Sequence, residues 1–368
     1  MAIDQAPAPG ILLVDDKQEV LDALQAAVKK QLKGTDVEVD AWLPSEDDGD
    51  PIQKLDSLIG MNTVLVATDY DLTSKVRGLF GLTVVARCQQ KLVPVGDFSR
   101  GNIDALPKEP SLFELRVPNT DEEGASFIAS TFHGFVRMWD ALEKDKSLIE
   151  KKMSLAAVLA SLLGKPDLEN QFALYMARLG ASNSSILERI KEFAGPADPS
   201  LEDKRRLLVY VLGHVLCNAI LKYPGPILSA SALTAYCATA EEESAELSKM
   251  FEGAAYEGPF GQFSKFFWRD GVDEKIEQLS DGISVPRSHS FAEFNRLVIE
   301  ERLGRPLSDH SCSRCGGKNG GFWCPFTHRP VCMRDDCSVP TTSWVPQGAQ
   351  LCRVEKDFYE EWAPLLGL

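Results

Sequence analysis

Ile11-Leu12-Leu13-Val14-Asp15-Asp16 and Thr63-Val64-Leu65-Val66-Ala67-Thr68-Asp69 decide the fold. Each is a short apolar run that stops at a carboxylate, the pattern of a strand buried on both faces whose end reaches solvent. Between them, Val20, Leu21, Leu24 and Val28 recur at helical spacing, and the pattern ends near Lys33-Gly34. Thr35–Trp42 alternates and reads as a second strand. An acidic loop over Ser45–Asp50 then leads to a short helix over Ile52–Ile59. Downstream, the pattern predicts a helix over Leu79–Gln90 and strands over Leu92–Val95 and Leu112–Val117. Apolar strands separated by helices imply a parallel five-stranded sheet covered on both faces. Such sheets collect their ligand groups at the strand C-termini.

The polar residues fall at that edge. Asp15 and Asp16 close the first strand, Asp69 closes the third, and Ser99 follows the fourth. Three carboxylates at one edge repel unless a cation sits among them, and hard oxygen ligands suit Mg²⁺. The turn Asp15-Asp16-Lys17-Gln18 has no glycine for the approach of a pyrophosphate, which argues against a dinucleotide-binding domain.

This constellation resembles the receiver domain of two-component response regulators. The resemblance covers about the first 120 to 145 residues. It implies a flavodoxin-like α/β fold, Mg²⁺ on Asp15, Asp16 and Asp69, Asp69 as phosphoacceptor and Ser99 as the sensing hydroxyl. It also implies a histidine kinase as the protein partner. Two departures stand out: Val117-Pro118 occupies the place of the family's Lys-Pro, with Arg116 the nearest cation, and no Pro follows Leu72.

A chain of 368 residues implies two or three domains. A net charge of −15 opposes phosphate backbones and makes nucleic acid a poor partner. No apolar run is long enough to span a bilayer, and Met1–Gly10 lacks the form of a signal peptide, so a cytoplasmic protein without a membrane partner is expected. The segment from about Ala125 to Ser280 reads as helical, with helices expected over Phe127–Leu148, Leu155–Leu163, Phe172–Leu179, Ile186–Phe193, Leu201–Ile220 and Ser244–Phe251. His214 and Cys217 lie among Val211, Leu212, Val215 and Leu216 and read as core residues rather than metal ligands. The aromatic stretch from Tyr256 to Trp268 reads as loop packing onto the bundle.

Of nine cysteines, six lie between Cys312 and Cys352. Clustered Cys with interleaved His reads as a metal site rather than a disulfide framework. The spacing is Cys312-x2-Cys315-x8-Cys324-x3-His328-x3-Cys332-x4-Cys337, with His310 and Cys352 at the margins. Cys312 and Cys315 followed by Gly316-Gly317 have the form of a zinc knuckle. A single Zn²⁺ could use Cys332 and Cys337 as its other ligands, or Cys324 and His328; with six to eight candidate ligands, two ions are also possible. A thiolate-rich set belongs to a structural rather than a catalytic zinc. Trp323, Phe326 and Trp344 read as exposed, which favours contact with a protein partner.

The expected architecture is a receiver-like α/β domain over 1–145, an α-helical domain over 146–300 and a zinc-binding module over 301–368. The function expected from it is that of a non-enzymatic signalling protein with a zinc-stabilised partner-binding region, open to homodimer formation. An atypical transcriptional regulator reading nucleic acid through the zinc module is one alternative. A receiver-gated enzyme with a helical effector domain is another.

Overall fold

The computed structural model describes residues 8–73, 75–76, 78–98, 112–151, 153–177, 186, 188–190, 199–284, 290–318, 321–340 and 345–363. The chain forms two compact units. The first comprises Met1–Ser154 with Leu179–His214, and the second Leu155–Arg178 with Val215–Leu368.

In the first unit, strands β1 (Gly10–Val14), β2 (Glu38–Trp42), β3 (Thr63–Asp69), β4 (Val95–Phe98) and β5 (Leu115–Arg116) form one sheet in the order β2-β1-β3-β4-β5. All four pairings are parallel, as the apolar runs require. The register sets Val14 beside Thr68, Asp69 beside Phe98 and Asp97 beside Arg116. Helix α1 (Gln18–Gln31) buries Leu21, Leu24 and Val28 and packs with α4 (Asp121–Lys144). On the opposite face, α2 (Pro51–Leu58) and α3 (Gly81–Lys91) enclose Leu12, Val14, Val66 and Val95 together with Leu55, Val84 and Cys88.

Several boundaries differ from the sequence reading: β2 and β5 are shorter than expected, starting at Glu38 and Leu115, and two further shifts have identifiable reasons. The fourth strand begins at Val95 rather than Leu92, because Leu92 takes a left-handed conformation (φ 56°) and donates its N–H back to Cys88 and Gln89. It therefore caps α3, and its apolar side chain is buried at a helix exit. The last helix of the sheet begins at Asp121 rather than Phe127. Thr120 Oγ1 accepts the Glu123 N–H at 3.3 Å, and its hydroxyl donates to the Glu123 carboxylate at 2.8 Å, starting the helix about one and a half turns early.

The first unit also contains α7 (Leu201–Val215), far along the chain. It lies so close to α4 that a Cβ on Gly213 would come within 2.3 Å of the Phe135 ring. Tyr210 stacks on Phe113 with ring centroids 5.5 Å apart. His214 sits among Phe113, Phe135 and Tyr210 and is fully buried, and its Nδ1 lies 2.7 Å from the Tyr210 carbonyl. Burial holds its pKa down at about 4, so the ring is neutral, a core residue as the sequence implied.

The second unit carries α5 (Leu155–Leu162), α6 (Glu169–Met176), a π-helical turn at Leu216–Ile220, α8 (Ala230–Tyr236), α9 (Ser244–Met250), α10 (Arg269–Ser280), α11 (Phe291–Leu303) and α12 (Lys356–Trp362). The middle of the chain is predominantly helical, but Ile227–Ser229 (β6) and Phe266–Trp268 (β7) pair as a two-stranded antiparallel sheet within it. Tyr256, Phe260, Phe266 and Phe267 are buried, so the aromatic stretch packs inward. Towards the C-terminus, β8 (Phe322–Cys324) pairs with β9 (Arg329–Val331), and β10 (Ser338–Val339) with β11 (Val354–Glu355). Among the described residues no helix is long and apolar enough to cross a membrane.

Candidate metal centres

Order β2-β1-β3 places the chain reversal between β1 and β3, where an open α/β sheet leaves a crevice at the strand C-termini. Asp15 and Asp16 follow β1 there, and Asp69 ends β3. Carboxylate oxygens of the three lie within 4.8 Å of one another, and all three residues are at most 9% exposed. Asp15 is oriented by the Lys17 backbone N–H, which donates to its Oδ1 at 2.8 Å. Burial, reinforced by the charges of Asp15 and Asp16, raises the pKa of Asp69 to about 7, and the neighbouring Tyr70 N–H donates to the Phe98 carbonyl at 2.8 Å. Three crowded acids with one pushed to neutrality fit a hard divalent cation, and these three residues could hold Mg²⁺.

Gly81 also shapes this centre, and the sequence pattern does not single it out. A Cβ at Gly81 would lie 2.3 Å from the Asp69 carbonyl oxygen and 2.8 Å from the Tyr70 Cα. Its N–H donates to Tyr70 O at 3.0 Å, pressing the start of α3 against the end of β3. Only a residue without a side chain allows that approach.

Arg116, the cation nearest the place of the β5 lysine, has a carboxylate partner on its own side of the sheet edge. It pairs with the buried Asp97 on the neighbouring strand at 3.4 Å. Val117 follows Arg116 at the end of β5, and its N–H bonds to Asp97 O. Ser99 lies outside the described residues.

The second centre is made by cysteines. Sγ atoms of Cys312, Cys315, Cys332 and Cys337 lie within 4.8 Å of one another. A tetrahedron with Zn–S bonds of about 2.3 Å has S···S edges of about 3.8 Å, and Cys315 Sγ lies 3.8 Å from Cys332 Sγ. Gly316 takes φ +64°, closing the Cys312–Gly317 turn, and the Gly317 N–H donates to Cys315 Sγ at 3.4 Å. That bond, with help from Cys337, lowers the Cys315 pKa to about 7, whereas burial raises Cys337 to about 12. Without a cation the four thiols do not all ionise at neutral pH. Zn²⁺ suits this set and would make it a closed structural site.

Cys324 and His328 fall outside this group. Cys324 Sγ accepts the Glu355 N–H at 3.3 Å. The Cys324 carbonyl accepts the His328 N–H at 3.0 Å, and His328 takes φ +52°, so their spacing reflects the β8–β9 turn. Cys352 and His310 are buried apart from the four.

No protein-family profile matches this sequence, and neither a curated protein nor a solved structure does. The site residues therefore have to be read from their own chemistry.

The surroundings of the cysteine centre are less open than the sequence implied. Trp323 is 7% exposed, and Phe326 stacks on Phe358 with centroids 5.0 Å apart. Trp344 lies outside the described residues. Met333, at 62% exposure, is the large apolar side chain that reaches solvent beside Cys332.

Proposed function

We propose that the chain is a regulatory protein whose first unit is a receiver-like phosphoacceptor domain and whose cysteine centre is a structural zinc site in a partner-binding region. The reading rests on the convergence of Asp15, Asp16 and Asp69 at the β1/β3 crevice of a 2-1-3-4-5 sheet. In this role an Asp69 carboxylate oxygen attacks the phosphorus of a phosphodonor. A P–O bond forms, the bond to the donor's leaving group breaks, and an acyl phosphate results. Asp15, Asp16 and Asp69 would hold Mg²⁺, which would supply positive charge where the anionic nucleophile meets the anionic phosphoryl group. The Lys17 N–H holds Asp15 in place. A phosphohistidine of a histidine kinase would serve as such a donor.

Val117 in place of a β5 lysine favours a second version: a cation-binding pseudo-receiver that docks partners without phosphorylation. Incubation with acetyl phosphate and Mg²⁺ separates the two. Acyl phosphate that disappears in Asp69→Asn supports the first. Absence of acyl phosphate, with Asp69→Asn behaving like wild type in partner binding, leaves only the second.

A further inference from the structure

At the end of the sheet opposite the carboxylates, the first unit holds a cavity of about 580 Å³. Residues Thr63 and Val64, which start β3, line it, while Asp69 closes the same strand six residues on. At about 3.3 Å per residue this separates the two places by about 20 Å. The walls are α4 and α7, and the volume suits a drug-sized molecule.

Leu92, Val136, Trp139 and Val209 make the interior apolar, and Met61 stands at the cavity with 88% of its surface exposed. The walls are pinned by the arginines of α7. Arg206 donates to the Met61 carbonyl at 3.1 Å. Arg205 lies over the Trp139 ring at 4.6 Å, pairs with Glu143, and reaches Glu202 at 3.2 Å. Both guanidinium groups are thus turned to groups of the protein. The exposed lining residue Asp140 has no ion pair among the described residues. The charged lining residues are Asp140, Glu202 and Arg206, two negative against one positive, which favours a cation over an anion.

We propose that this cavity binds a hydrophobic amine, its apolar body between Trp139, Val209 and Leu92 and its ammonium at Asp140. The proposal is independent of phosphorylation at Asp69. Dansylcadaverine, a fluorescent monoamine, tests it by titration of the full chain, with dansylamide and the anionic 8-anilinonaphthalene-1-sulfonate as comparisons. Saturable binding of the amine is expected, tighter than that of either comparison. Val136→Trp, which fills the cavity, should weaken it by more than about tenfold. Asp140→Asn, an exposed change that leaves the fold intact, should weaken it about threefold, as for an exposed ion pair. If Val136→Trp does not fold, Asp140→Asn alone decides. Absence of saturable binding overturns the proposal, as does equal or tighter binding of either comparison dye, or amine binding unchanged by Asp140→Asn.

Discussion

Replacing Asp69 by Asn should stabilise the metal-free protein at alkaline pH, and the structure sets the size of the effect. The folded-state pKa is about 7 against an ordinary 3.8. The folded state therefore holds more protons than the unfolded state between these values, and stability falls as pH rises through the interval. At 1.36 kcal/mol per pKa unit the full penalty would be about 4 kcal/mol. Solvent at the crevice screens it, leaving about 2 kcal/mol. Asn keeps the size and shape of the side chain and loses the charge. In a domain of about 150–250 residues the change should raise the melting temperature by about 4–8 °C at pH 8.5 in chelator. At pH 5 most of the folded-state penalty is absent, so the gain should fall below half. Millimolar Mg²⁺ should stabilise the wild type at pH 8.5 by mass action and leave Asp69→Asn nearly unchanged. Differential scanning calorimetry at both pH values reads these differences. Equal melting of wild type and variant in chelator at pH 8.5, or the same offset at pH 5, would refute the idea that burial beside Asp15 and Asp16 makes the ionised Asp69 costly.

His214 acts with the opposite sign: its folded pKa of about 4 lies below 6.5, so its contribution is present above pH 6.5 and is lost as pH falls toward 4, by about 3 kcal/mol. Urea denaturation of His214→Phe should show this dependence removed, and an unchanged slope between pH 4 and 6.5 would contradict the assignment. Metal analysis should find one zinc per chain, lost in Cys312→Ser and Cys337→Ser and retained in Cys324→Ser and His328→Ala; loss in the latter pair would mean that the other ligand set holds the ion. Gly81→Ala should destabilise the protein by about 1–3 kcal/mol, since the new methyl meets the Asp69 backbone rather than a movable side chain. A thermal melt at wild-type temperature would show that this approach is not tight.

The sheet was legible because strands buried on both faces write themselves as unbroken apolar runs, and β1 and β3 announce their ends with aspartates. Leu92-Val93 misled because a buried helix exit is as apolar as a buried strand. The start of α4 was carried by Thr120 and Glu123, a four-residue signal that precedes the apolar stripe. Strands as short as Ile227–Ser229 and Phe266–Trp268 have no room to display a period. Zinc-ligand spacing named the candidates without choosing among them, since a Cys-x3-His step serves a hairpin turn as readily as an ion. Gly81 and the seating of α7 on α4 depend on distances between remote segments, which one chain's pattern does not encode.

The interleaving of the two units bears on how the protein is made. The first unit closes only with His214, after the chain has left at Ser154 and come back at Leu179. A ribosome delivers residues in order, so the sheet can pair early while Phe113 and Phe135 wait for Tyr210 and His214 to emerge. Until then those rings lack their partners, and the nascent chain already carries Leu155–Arg178, whose two helices can pair with each other while the rest of the second unit, Val215–Leu368, is still to be synthesised. Synthesis stopped at about residue 145 would leave the aromatic cluster permanently half-built, a candidate substrate for chaperones rather than a free-standing domain.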